Sequence, residues 1–292
     1  MRLTASFLAL FCASPALAAP NVLTDIAPIH GLVTEVMGDL GTPQLLLPPE
    51  ADAHHYALRP SDARALSQSD LVIWVGAGLT PWLTEPLATL SPDAQVLALL
   101  GTDGWEKREL HHGEDDHGAH DHGDIDPHAW LSPAVATVWL ANIAQSLAEA
   151  DPENARTYAQ NAEAAAARFA TLDVEIKAVL ADVPDQTLIW PHDAYGYFAD
   201  SYGLASVGAI AEGDASDPGP AHIAELREMV TDGQVTCVLL DPEINEKWAQ
   251  VLIEGTQVQT AAIDPIGAGI PQGRGFYRSL MLQMAHALAS CR

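Results

Sequence analysis

The sequence predicts an α/β chain of two lobes, each a roughly four-stranded, mainly parallel sheet flanked by helices, joined by one long rigid helix. Three observations carry this expectation. Short strand-like runs alternate with helical runs on both sides of Asp151, which is the rhythm of βαβ units. The run 71–75, LVIWV, is apolar throughout and stops at Gly76, as a strand buried on both faces should. From Glu153 to Asp182 there is neither glycine nor proline, and Tyr158, Ala162, Phe169, Leu172, Ile176 and Leu180 keep roughly helical spacing. About thirty helical residues span roughly 45 Å, enough for a spine between lobes.

Residues 1–19 read as a secretory signal. Arg2 supplies the positive start, residues 7–12 lie in the apolar core, and Ala16-Leu17-Ala18 is an A-x-A cleavage pattern. The alternative is a buried N-terminal helix. The run is too short to span a bilayer, no later run reaches about 18 apolar residues, and bulky Phe11 argues against a lipid on Cys12. The first lobe, 20–150, has strands expected at 22–27, 44–47, 71–75 and 95–99. Its helices are expected at 29–37, from Pro60 onward, at 81–90, and from Pro133 to about 149. Proline suits a first helical turn, whereas Pro48-Pro49 stops the second strand. The spine, 151–182, opens with Asp151 as N-cap, Pro152 at the first position and Glu153 in the first turn. The second lobe, 183–292, has strands expected at 187–190, 204–210, 235–240 and 258–263, with helices at 195–202, 221–231, 245–255 and 275–290. No internal sequence repeat is visible, although the two lobes share an architecture.

The formal charge is −26, and loss of Arg2 with the signal makes it −27. Such a surface repels nucleic acid and anionic membranes and draws cations inward. Beyond the signal two cysteines remain, Cys237 and Cys291, an even pair in an oxidising compartment. A disulfide is expected; two free thiols or a thiolate metal ligand are the alternatives.

The stretch 111–132 holds six of the twelve histidines, among six carboxylates. Imidazole and carboxylate together suit divalent transition metals. His111, His112, His117, His120 and His122 crowd the loop 111–124, too polar and glycine-punctuated for a core, and His128 stands apart in Asp126-Pro127-His128. Four residues share one kind of place, the carboxyl end of an expected strand or the loop after it: His54, His128, His192 and Asp264. That edge is where open α/β sheets bind ligands. Three imidazoles and one carboxylate would fit four-coordinate zinc, with two donors from each lobe. Taken singly, each residue has an ordinary reading. A loop histidine is usually solvated, His55 competes with His54, and Asp264 before Pro265 could merely form a turn.

The segments 50–62 (EADAHHYALRPSD), 126–133 (DPHAWLSP), 192–204 (HDAYGYFADSYGL) and 263–267 (IDPIG) occur in this order. Together they resemble the zinc-specific, ZnuA-like solute-binding proteins of ABC importers, in a family that also carries manganese receptors. The resemblance spans essentially the whole mature chain and implies two α/β lobes joined by a rigid helix. It implies His54, His128, His192 and Asp264 as metal ligands, with water in place of Asp264 as the fallback. Manganese receptors of the family usually carry a carboxylate at the third position. Imidazole there, at His192, favours zinc. The loop 111–124 matches the His- and acid-rich loop of zinc members, and Cys237 and Cys291 match a C-terminal disulfide found in some. Asp241 stands where many relatives place glutamate, and Asp126 and Asp193 are the expected acceptors fixing the imidazole tautomers.

The resemblance implies a periplasmic, monomeric zinc receptor that is not an enzyme. It would deliver Zn²⁺ to a membrane ABC permease, with a periplasmic zinc chaperone as a further partner. Affinity should fall as pH drops through the histidine range, about 6.5. Weighed against this are a manganese or iron receptor, a zinc buffer without a permease, and a zinc metallohydrolase. The last lacks an H-E-x-x-H helix. The loop 111–124 would capture zinc for the cleft, accept it from a partner, or merely be solvated.

Overall fold

A computed structural model describes residues 19–110, 125–181, 183, 187–211, 218–242 and 245–291. The expected signal, but for its last residue, and the loop 111–124 lie outside the described residues. The first sheet comprises β1 (Val22–Thr24), β2 (Gln44–Leu45), β3 (Leu71–Trp74) and β4 (Gln95–Ala98), in the order β2-β1-β3-β4. The second comprises β5 (Thr187–His192), β6 (Ala205–Ala211), β7 (Cys237–Leu240) and β8 (Gln259–Ala262), in the order β6-β5-β7-β8. Every pairing is parallel. The orders are the same pattern written twice, an architectural repeat without a sequence repeat.

Helices make the crossovers, as parallel strands require. In the first sheet these are α1 (Ala27–Met37), α2 (Pro60–Ser67) and α3 (Thr84–Leu90). After α4 (Pro133–Ala150) and α5 (Ala155–Leu180), the second sheet uses α6 (Gly196–Tyr202), α7 (Pro220–Thr231) and α8 (Glu246–Ile253), and α9 (Phe276–Ser290) closes the chain. Among the described residues no helix is long and apolar enough to cross a membrane.

The spine is a short 3-10 turn, Pro152–Asn154, followed by the 26 residues of α5, about 39 Å. It buries one stripe, Tyr158, Ala162, Ala165, Phe169, Leu172, Ile176 and Leu180, at steps of three and four. The expected N-cap role of Asp151 is not what the structure shows. Its N–H closes α4 by donating to Leu147 O at 2.8 Å. Its carboxylate accepts from Tyr158 Oη and Asn154 Nδ2, each at 2.8 Å. Because a 3-10 turn follows Asp151, the phenol two turns on comes within reach.

One continuous core runs from the first sheet through α1, α4, α5 and α9 to Leu188, Trp190, Cys237 and Leu239 of the second sheet. A smaller core, with Ile189, Ile210, Leu226 and Val238, covers that sheet's other face. Strand alternation in β5 sends Leu188 and Trp190 one way and Ile189 the other. The two halves are therefore joined by more than the spine. Tyr277 of α9 lies 4.6 Å from Phe169 of α5 and donates to Trp130 O at 2.7 Å. Trp130 Nε1 in turn donates to Pro265 O at 2.9 Å. Glu35 of α1 pairs with Arg168 of α5 and accepts from Gly275 N at 2.9 Å. Cys237 and Cys291 form a disulfide, Cα to Cα 5.9 Å, tying β7 to the end of α9 across 54 residues. By loop-closure entropy such a bridge stabilises by about 4 kcal/mol.

Candidate metal centre

In each sheet the chain steps to one side and then to the other, and ligands bind outside the carboxyl ends at that switch point. In the second sheet the switch lies between β5 and β7. His192 is the last residue of β5, and Asp241 follows β7. His192 Nδ1 is 2.8 Å from Asp241 Oδ2, which also accepts from Tyr195 Oη at 2.9 Å. Tyr195 is set by stacking on Trp190, 5.0 Å between centroids and 9° between planes. His192 is 1 % exposed. With its proton on Nδ1, beside that carboxylate, the ring would turn the Nε2 lone pair to a ligand.

His128 enters just before the 3-10 turn Ala129–Leu131. Asp126 Oδ1 accepts from His128 N and faces its Nδ1, both at 2.9 Å. The other oxygen, Oδ2, pairs with Arg108 Nη1 at 3.2 Å. Asp126 is 0 % exposed and His128 2 %. This imidazole too is held at Nδ1 by a buried carboxylate.

His54 sits on a loop that its neighbours fasten at several points. Asp52 Oδ1 accepts from His54 N at 2.8 Å and His55 N at 3.2 Å, and Trp82 Nε1 donates to Ala53 O at 2.8 Å. Asp62, in the first turn of α2, accepts from Tyr56 Oη at 2.9 Å and Arg59 N at 2.8 Å. The segment Leu58-Arg59-Pro60-Ser61-Asp62 is thus a helix start that anchors the His54 loop. His54 is half-buried with its ring 5.8 Å from that of His128. His55 is exposed, its Nδ1 3.2 Å from Asp52 Oδ2. The structure ranks the two histidines, which sequence alone leaves level.

Asp264 follows β8 and is wrapped by its own turn. Oδ1 accepts from Ile266 N at 2.9 Å and Gly267 N at 2.7 Å, and Oδ2 from Ala268 N at 2.7 Å. Gly267 takes φ +72°, and a Cβ there would meet Ile270 and Phe276 at 3.0 Å, so the turn needs glycine. Asp264 is a turn former, yet Oδ2, with one bond, keeps acceptor capacity for a cation.

The rings of His128 and His192 are also 5.8 Å apart, so His128 stands between the other two imidazoles. Two imidazoles on one zinc, at about 2.0 Å and a tetrahedral angle, place their centroids about 5 Å apart. Among the described residues no three His, Cys, Asp or Glu side chains are drawn together closely enough to hold an ion. Asp264 shares a cavity of about 390 Å³ with His192, and Glu50 and Asp52 face it from the first half.

Two expectations change. Asp193, expected to fix an imidazole, faces Arg108 Nη1 at 3.8 Å, and Asp241, whose role was in doubt, takes that position at His192. The carboxyl-edge rule that selects Asp264 also selects Asp241, which was the available signal. His111, His112, His117, His120 and His122 lie outside the described residues.

Fold and geometry define the class, a two-sheet α/β binding protein whose candidate site is rich in imidazole. The chain belongs to the ZnuA family: the profile described as "Zinc-uptake complex component A periplasmic" matches residues 22–291. It is 40% identical to the high-affinity zinc uptake system protein ZnuA of Paracoccus denitrificans (strain Pd 1222), over 93% of this chain and 91% of that one. It is 31% identical to the protein of that name from Brucella abortus (strain 2308), over 99% and 97%. A crystal structure of ZnuA superposes with TM-score 0.81 at 24% identity, covering 94% of this chain and 99% of the other, which shows the shared fold.

Proposed function

We propose that the protein is a periplasmic receptor that captures one Zn²⁺ between its two sheets and delivers it to a membrane ABC permease. The observation that carries this is the convergence of His54, His128 and His192 from three distant segments, two of them backed at Nδ1 by buried carboxylates. Neutral imidazoles and the Asp264 carboxylate would leave a site charge of +1. Nitrogen donors at three positions favour zinc over manganese. Family membership supports the permease as partner and the periplasm as location. We further read the receptor as a monomer, loaded with or without a periplasmic zinc chaperone. The chain divides into lobes 20–150 and 183–292 about the spine 151–182. We read it as a receptor and not an enzyme, because Asp126, Asp241 and Asp264 are committed to imidazoles or backbone donors and none is placed as a general base.

The test is metal analysis with competition titration of Zn²⁺ and Mn²⁺, repeated on His54→Ala, His128→Ala, His192→Ala and Asp264→Ala. Each imidazole loss should abolish tight binding, and Asp264→Ala should weaken it. Wild-type affinity for zinc unchanged in all four variants would sink the assignment.

A further inference from the structure

We propose that Arg108 is a positioning residue that holds the two buried imidazole segments in register without touching the ion. The inference rests on the reading of His128 and His192 as ligands. Arg108 belongs to the first half, where its carbonyl accepts from Asp126 N at 2.8 Å beside the Glu109–Ile125 antiparallel bridge. Its side chain lies across the second half. Nη1 pairs with Asp126 Oδ2 at 3.2 Å and faces Asp193 Oδ1 at 3.8 Å, and Nε pairs with Asp200 Oδ2 at 3.3 Å. Its backbone N–H donates to Tyr197 Oη of α6 at 2.8 Å. One guanidinium thus joins the carboxylate that orients His128 to the residue that follows His192.

The burial pattern separates this from an ordinary surface ion pair. Exposed pairs contribute little, and the Asp200 arm is of that kind. Asp126 has a fully buried side chain and Arg108 is only 24% exposed. A buried carboxylate that loses one partner must find another or shift, and the group it would take along is the His128 ring. The fork of arginine suits this role, because a planar guanidinium reaches several carboxylates at once and an ammonium does not.

The packing supplies a second observation. A Cβ placed on Gly196, the first residue of α6, would lie 2.2 Å from Arg108 Cζ. The guanidinium rests on a surface that only glycine leaves open. Gly196 does not have a positive φ, so the backbone accepts alanine, which is also the better helix former. Gly196→Ala therefore displaces the guanidinium while leaving every charge in the sequence.

The experiment compares wild type, Arg108→Met, Arg108→Lys, Gly196→Ala, the Arg108→Met/Gly196→Ala double variant and a His128→Ala control. Zn²⁺ affinity is read by competition titration, ligand geometry by the visible absorption of bound Co²⁺, and folding by metal-free melting. Arg108→Met and Gly196→Ala should each weaken Zn²⁺ about tenfold, the lower end for partners behind a ligand, and shift the Co²⁺ bands. Arg108→Lys should fall between wild type and Arg108→Met. The double variant should bind no worse than Arg108→Met, since both changes remove one interaction. Zn²⁺ affinity within twofold of wild type and unmoved Co²⁺ bands in Gly196→Ala and Arg108→Met, with binding lost in His128→Ala, overturn the inference alone. Additive losses in the double variant also overturn it. Intact binding in His128→Ala instead overturns the underlying site.

Discussion

The two sheets share a strand order, yet their switch points hold different chemistry. In the first, Asp25 follows β1, and its carboxyl accepts from Ile26 N and from Val75 N, which follows β3, both at 2.8 Å. Asp25 is fully buried, and burial pushes its pKa up to about 7 against the opposing pull of those two backbone donors. In the second, the corresponding crevice holds His192 against Asp241, with Tyr195 completing the set. The carboxyl edge of a parallel sheet offers free backbone donors. A side chain that satisfies them knits the strands together, as Asp25 does. One that arrives with its own acceptor can turn its other nitrogen to a ligand, the role proposed for His192. The first half consequently carries its imidazoles further out, on the loops of His54 and His128.

The sharpest way to break this contrast is His192→Ala. It removes a donor and takes the imidazole away from the buried Asp241 carboxylate, to which Tyr195 still donates. Zinc affinity should fall about a thousandfold or more, beyond the 10–100-fold typical of a residue behind a ligand. Isothermal competition with a chelator of known affinity measures it. A loss no larger than that from changing Asp241 would mean that His192 is structural, as Asp25 is.

Asp241→Asn comes next. Both contacts fall on Oδ2, so an amide oxygen in that place still accepts from Tyr195 and faces His192 Nδ1, but without the charge that strengthens the imidazole contact. The imidazole is then held less firmly and becomes a less basic ligand. Zinc affinity should drop about 10–100-fold with little change in folding. An affinity within twofold of wild type would show that the second switch point needs no acceptor of its own.

Much of this was legible in the sequence, for physical reasons that also mark the limits. Every described strand overlaps a run expected from the sequence, and burial on two faces leaves the clearest imprint at Leu71–Trp74. The spine was legible from the absence of glycine and proline, although its α-helix stops at Leu180. Partnerships across the chain were not. Asp241 lies 46 residues beyond Tyr195, and Arg108 89 before Tyr197, so no local pattern marks either contact. His54 and His55 are adjacent and chemically identical; only the anchoring by Trp82 and Asp62 separates them. Asp25 left no signal, since one aspartate after a short strand looks like any turn former.

The smallest effect, and the one that sharpens the contrast from the other side, concerns Asp25 itself. Its ordinary pKa is 3.8 and its folded value about 7, so between those values the unfolded chain is ionised while the folded chain holds a proton. Unfolding then releases a proton, and stability declines with rising pH. This group's contribution is complete below about pH 4, is lost across pH 4 to 7, and is level above that, a few kcal/mol in all. Asparagine leaves one of the two backbone donors facing an amide N–H, a cost of about 1–3 kcal/mol, but it cannot titrate. Urea unfolding at pH 5 and pH 7.5 should therefore show the stability difference between Asp25→Asn and wild type moving in the variant's favour by about 2–3 kcal/mol across that interval. Zinc affinity of the folded variant should stay within about twofold of wild type. An equal penalty at both pH values would mean that Asp25 is held ionised by Ile26 and Val75, and the first switch point would then be a buried charge like the second.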